Sequence, residues 1–189
     1  MSPEGEIERG PRIGIPGGAG VIVPRTRLED PLTPEEHARY AAVLQGVTRP
    51  APAEGPAVPR GLVMEDDPYI RDIVGFVLRS WGFEVLESAD GVEALRRLAT
   101  TPVDVLVADL RLPGLDGYAV IRGARAFLRL DSMFIVVVTA LPGEGPEIAA
   151  LDSGGDVILR KPFKLDRLAA YLKPIARRRL ANGNRPPAA

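Results

Sequence analysis

The sequence predicts an α/β fold: a doubly wound, five-stranded parallel sheet with helices on both faces. Three observations predict it. The runs VDVLVAD and MFIVVVT are continuously apolar, as strands buried on both faces must be. Between the apolar runs lie stripes with apolar residues three and four apart, the signature of one helix face. Strand and helix alternate throughout residues 61–181, and that alternation implies parallel neighbours with the helices packed back onto the sheet.

Each element can be justified in order. GLVMED is a short apolar run ending in acids, and Ile70, Ile73, Val74, Val77 and Leu78 then mark one helical face. FEVLES is a half-alternating strand, and Val92, Leu95 and Leu98 mark a second helix after Asp90. VDVLVAD is the third strand. A helix starting at Asp116 is predicted to turn Tyr118, Ile121 and Leu128 inward. MFIVVVT is followed by a weak helix near residues 144–153, and DVILR is the fifth strand. Leu165, Leu168, Leu172 and Ile175 mark a last helix, which Pro174 is expected to kink or restart.

Composition sets the boundaries. The first 60 residues hold 10 of the 19 prolines and 8 of the 20 glycines, a density typical of non-globular chain. Residues 1–60 are read as a mostly irregular extension, with residues 1–30 mobile in the free protein. A folded domain over residues 61–181 and a tail over 182–189 follow. One helix is predicted inside the extension, near residues 34–46. Thr33-Pro34-Glu35-Glu36 has a capping-box pattern with proline at the first helical position. Tyr40, Val43, Leu44 and Val47 form its apolar stripe, and Gly46 and Pro50 end it. So short a helix needs a docking surface, on the main domain, a second copy or a partner.

Several function classes are excluded. There is no cysteine, so disulfides, thiolate metal sites and thiol catalysis are absent. His37 is the only histidine, which rules out sites built on several histidines. The N-terminal MSPEGEIERG has no apolar signal core, and no run approaches the roughly 18–20 apolar residues of a membrane span. A net charge of −1 gives no global pull toward nucleic acid or anionic lipid. The expectation is a cytoplasmic protein with no membrane contact.

Parallel α/β sheets place their sites at the carboxyl ends of the strands. Those ends carry Glu65-Asp66-Asp67, Asp109, Thr139-Ala140 and Lys161-Pro162. Singly, each has a bland reading: a helix cap, a turn hydroxyl, a solvated lysine. Together they make chemical sense. Several carboxylates in one crevice repel each other, and a hard divalent cation such as Mg²⁺ relieves that repulsion. A carboxylate can act as a nucleophile and form an aspartyl-phosphate. A lysine and a hydroxyl can then stabilise charge on the transferring phosphoryl oxygens.

The pieces VMEDDP, ADLRLPGLDG, VVTA, DSGGDVIL and RKPF resemble the response regulator receiver domain of two-component signalling, over about Gly61 to Leu180. The spacings are 43 residues from Asp66 to Asp109, 30 on to Thr139 and 22 on to Lys161. The resemblance implies a flavodoxin-like strand order 2-1-3-4-5. It implies Asp109 as the phosphoryl acceptor, with Thr139 as the switch hydroxyl and Lys161 as the partner of Asp109 and then of phosphate. It implies Mg²⁺ held by Glu65, Asp66, Asp109 and the backbone carbonyl of Arg111. Ala140, Pro113 and Gly117 match the family's small and turn positions, Lys161-Pro162 matches a bond often cis in the family, and Asp67 is read as a helix cap. One departure is Ile158, where the family usually has an aromatic residue coupled to the switch hydroxyl.

The resulting expectation is a stand-alone, phosphorylated switch acting by protein–protein contact. Its donor is a sensor histidine kinase or histidine phosphotransfer protein, its downstream partner is unknown, and homodimerisation is left open. Turnover catalysis is not expected, although self-dephosphorylation is. Nucleic acid is expected to be no partner: the N-terminal arm lacks the periodic helices of a helix-turn-helix, and Arg177, Arg178 and Arg179 read as a solvated helix end. Two alternatives stand beside this one. The first is a phosphorylation-independent scaffold of the same fold, and the second is an aspartyl-phosphate hydrolase. The hydrolase reading fits less well, because its nucleophile usually sits on the first strand.

Overall fold

The structure is a computed structural model that describes residues 32–48 and 58–183, with side chains of the last helix described through Arg178. The expectations for residues 1–30 and for the tail 184–189 lie outside the described residues. The elements run α1 (Pro34–Val43), β1 (Arg60–Met64), α2 (Pro68–Ser80), β2 (Glu84–Ser88), α3 (Gly91–Thr100), β3 (Val105–Asp109), α4 (Gly117–Arg122), β4 (Phe134–Thr139), α5 (Glu144–Asp152), β5 (Val157–Arg160) and α6 (Leu165–Gly183). The five strands form one parallel sheet in the order β2-β1-β3-β4-β5.

The sheet divides the apolar interior in two because side chains alternate between its faces. On one face Leu62, Leu106, Ile135 and Val137 pack with Leu95, Leu98 and Ile121 of α3 and α4. On the other, Val63, Val107, Val136 and Val138 pack with Leu78 of α2 and with Leu168 and Leu172 of α6. Every residue of β3 is buried, as its unbroken apolar run requires.

Two details depart from the expected pattern. Downstream of α4 the chain widens into a π-helical turn over Gly123–Phe127, with Leu128 N–H bonded to the Gly123 carbonyl at 2.9 Å. Ile121 is buried as expected, whereas Tyr118 and Leu128 are only half-buried. Second, α6 runs unbroken through Pro174 over Leu165–Gly183. Proline removes one ladder bond, but buried Leu172 and Ala176 on either side of it anchor both halves to the same core.

α1 docks on the domain itself. Tyr40 is its one buried residue, packed against α3, α4 and the π-turn within the first core. The capping box forms as drawn from the sequence. Thr33 Oγ1 accepts from Glu36 N–H at 3.2 Å, and Glu36 Oε2 accepts from Thr33 N–H at 2.8 Å. Among the described residues, no helix is long and apolar enough to cross a membrane.

Candidate functional site

β1, β3 and β5 lie in the middle and toward one edge of the sheet, so their carboxyl ends open onto one crevice. Glu65 follows the last residue of β1, Asp109 is the last residue of β3, and Lys161 follows β5. Carboxylate oxygens of Glu65, Asp66 and Asp109 all lie within 4.8 Å of one another. Glu65 and Asp109 are buried, at 3% and 7% exposure, while Asp66 is open to solvent.

Lys161 ties the buried acids together. Its ammonium donates to both oxygens of Glu65, at 2.9 and 2.6 Å, and to Asp109 Oδ2 at 2.6 Å. Burial works most strongly against that charge, yet the bonds and charges of Asp109 and Glu65 outweigh it and hold the lysine above its usual pKa. Burial pushes the Glu65 carboxyl up, and neighbouring Asp109 and Asp66 add to this while Lys161 opposes it. Three carboxylates against one ammonium leave unmet negative charge in the crevice.

The other expected site residues fall around this centre. Arg111 N–H donates to Asp109 Oδ1 at 3.1 Å, which places its peptide at the Asp109 carboxylate. Thr139 is fully buried at the end of β4, one residue beyond the partner of Asp109 in the sheet register. Its hydroxyl oxygen accepts the Leu141 N–H at 3.1 Å, and its carbonyl accepts Lys161 N–H at 2.8 Å. Asp67 caps α2, accepting from Tyr69 and Ile70 N–H. The Lys161–Pro162 bond is cis. Gly117 begins α4 hard against Asp109: a Cβ there would sit 2.2 Å from the Asp109 carbonyl oxygen, so only glycine fits. Ile158 is half-buried against the first core.

One contributor is absent from the expected set. Arg71 Nη1 donates to the carbonyls of Glu65 at 2.7 Å and Asp66 at 3.2 Å, pinning the loop that carries both acids. The available signal is its place four residues after the cap Asp67, because helical side chains lean back toward the N-terminus of their helix.

The donor set fits Mg²⁺. Its oxygens are hard and closely grouped, and exposed Asp66 leaves room for the waters that this ion retains.

The model of the response regulator receiver domain matches residues 62–173. The chain belongs to this family. Its receiver is 32% identical over 121 residues to the DNA-binding dual master transcriptional regulator RpaA of a Synechocystis strain, covering 64% of this chain and 50% of the relative. It is 39% identical over 119 residues to the response regulator MprA of Mycobacterium ulcerans, covering 63% of this chain and 50% of the relative. The chain thus spans about half the length of these curated relatives. Among solved structures, it is similar to the receiver domain of sensor histidine kinase PA1611 from Pseudomonas aeruginosa, a structure with a magnesium ion coordinated in the active-site cleft. That match has 33% identity and a TM-score of 0.58, covering 64% of this chain and 98% of the other.

The relatives correct one expectation. Nucleic acid was set aside as a partner because neither the arm nor the basic helix end reads as a DNA reader. A similar receiver belongs to a regulator named as DNA-binding, so the exclusion does not stand. The exclusion weighs only reading elements inside this chain, which spans about half the length of that regulator.

Proposed function

We propose that this receiver is a phosphorylation switch whose acceptor is Asp109. The observation that carries the reading is the Lys161 ammonium bridging Glu65 and Asp109 in a crevice of three carboxylates. When bound, Mg²⁺ would supply positive charge to the phosphoryl oxygens; Glu65, Asp66, Asp109 and the Arg111 carbonyl are the groups that would hold it. The Asp109 carboxylate attacks the phosphorus of a phosphohistidine, the P–N bond breaks, and the imidazole leaves with that electron pair. Lys161 then exchanges its bond to the carboxylate for one to a phosphoryl oxygen. Thr139 turns its hydroxyl from the Leu141 N–H toward the phosphate. Attack by water at the phosphorus then breaks the acyl P–O bond, releasing inorganic phosphate and returning the Asp109 carboxylate.

Tyr69, Ile73 and Phe76 support donor docking beside the crevice. They are 80%, 48% and 69% exposed and form an apolar stripe along α2, starting two residues after the cap Asp67. A cytoplasmic setting accords with the cysteine-free sequence. Signal output is by protein contact at the receiver surface, in the service of transcription, the process named for its relatives, with DNA expected in the assembly.

Intact mass after treatment with an acyl phosphate and Mg²⁺ tests the reading. Wild type gains one phosphate and Asp109→Asn gains none. Ile158 favours a second reading, a scaffold whose partner binding ignores phosphate. Partner binding unchanged by Asp109→Asn would select that reading.

A further inference from the structure

α1 lies outside the region matched to the receiver family, yet it is tied to the element that follows the acceptor loop. Tyr40 is 1% exposed, and its hydroxyl donates to the Ala119 carbonyl of α4 at 2.9 Å. Its ring occupies the space over Gly123, where a Cβ would come within 2.8 Å of it, and lies 5.7 Å from the Phe127 ring. Glu36 pairs with Arg122 Nε of α4 at 2.7 Å. Arg96 of α3 donates to the Val43 carbonyl at the end of α1, at 3.0 Å.

These contacts hold α1 lightly. Tyr40 is the only residue of α1 that is buried, and Val43 and Leu44 are half-buried. A ten-residue helix does not persist alone in water. Release of α1 is therefore a local event, far less costly than unfolding the sheet.

The path to the acceptor is short. Gly117 N–H bonds the Leu110 carbonyl at 2.9 Å, and its Cα rests on the Asp109 carbonyl. Ala119 is two residues further along the same helical turn. Asp116 caps that turn through Ala119 N–H at 2.8 Å. The stretch from Asp109 to Ala119 thus joins the site to the residue that Tyr40 grips.

We propose that α1 is a strap whose release is coupled to phosphorylation of Asp109. The inference rests on the reading of Asp109 as acceptor. The Tyr40–Ala119 bond and the Glu36–Arg122 pair are at favourable lengths with Asp109 free. A phosphoryl group on Asp109 would displace the Arg111 N–H from Asp109 Oδ1, and a shift of the first turn of α4 would carry the Ala119 carbonyl away from the Tyr40 hydroxyl. The strap then detaches and bares the α3–α4 face. Linkage is reciprocal, so loosening the strap favours phosphorylation by the same factor.

The test is amide exchange over residues 34–43 in the full chain, with and without acyl phosphate and Mg²⁺, alongside intact mass. With one phosphate on the protein, exchange should rise roughly fivefold or more, and Asp109→Asn should show no rise. Tyr40→Phe keeps the ring and lacks the hydroxyl, so its basal exchange should already lie above wild type and the phosphate-dependent rise should shrink. Phosphorylated protein with unchanged or slower exchange overturns the strap and leaves the acceptor reading intact. A full rise in Tyr40→Phe overturns the Ala119 route. A chain that gains no phosphate overturns both.

Discussion

At the carboxyl ends of the strands one lysine faces Glu65 and Asp109, with Asp66 close by. At the amino ends, Arg125 is matched to Asp156. Arg125 donates to Asp156 Oδ2 at 2.8 Å and to the carbonyls of Gly154, Leu130 and Met133, while Asp156 also accepts Ile135 N–H at 2.7 Å. Both clusters are buried and ionic, yet they do different things. In the Arg125 cluster the guanidinium is paired with Asp156 and its bonds join the π-turn to β4 and β5, so it holds the fold. The Lys161 cluster has more carboxylates than cations, an arrangement that lowers stability until something cationic arrives. Unmet charge in a crevice marks a site for chemistry.

The largest expected effect breaks the paired end. Arg125→Met leaves the Asp156 carboxylate buried without its partner, a loss of about 3–5 kcal/mol in urea unfolding. A loss under about 1 kcal/mol would mean that water already relieves Asp156, and the contrast between the two ends would fail.

The second effect sharpens the unbalanced end. Mg²⁺ at 100 times its dissociation constant should add about 2.7 kcal/mol to stability, and a chelator should remove it. Asp66→Asn should need several-fold more Mg²⁺ for the same gain. Equal stabilisation of Asp66→Asn and wild type would take Asp66 out of the site.

Third comes a charge deletion that costs little. Asp109→Asn relieves repulsion with Glu65 and Asp66, and Lys161 keeps both of its Glu65 bonds. Metal-free stability should therefore change by no more than about 1 kcal/mol, although phosphate uptake is lost. A cost matching that of Arg125→Met would make Asp109 a structural anchor.

The difference between the two ends was half legible in the sequence. Glu65, Asp66, Asp109 and Lys161 each stand next to an apolar strand, so once the strands are drawn the topology brings them together. Asp156 also adjoins a strand, β5, but at its amino end, where parallel α/β sheets do not place their sites, and Arg125 has no such marker at all. Arg125 reaches inward from a π-turn, and an argument from the 3.6-residue period has no place for the extra residue. Arg71 was hidden because it acts on backbone carbonyls, which no side-chain motif records. The strand order came from the family resemblance, whereas both apolar cores were legible because buried parallel strands must be continuously apolar. The passage of α6 through Pro174 was not, since it depends on burial of Leu172 and Ala176 rather than on local propensity. The capping box at Thr33 was legible, but the face on which Tyr40 docks depends on Gly123, far away in sequence.

A third ion pair extends the comparison to the surface and carries the smallest effect. Arg160 of β5 donates to Glu147 of α5 and to the Gly143 carbonyl, and both side chains reach solvent. The bond from Arg160 holds the Glu147 carboxyl below its ordinary value of 4.5. A carboxyl lowered in the folded state stabilises the fold above its unfolded pKa, and that contribution is lost as pH falls through the folded value. Glu147→Gln should thus cost about 0.2–1 kcal/mol at neutral pH and less at an acid pH below the folded value, where the wild-type carboxyl is protonated as well. Urea unfolding at the two pH values reads the difference. A cost equal at both would mean that Glu147 acts through packing of its side chain on α5 and not through charge. A cost approaching that of Arg125→Met would show that exposure, the property separating this pair from the buried one, does not decide what an ion pair contributes in this sheet.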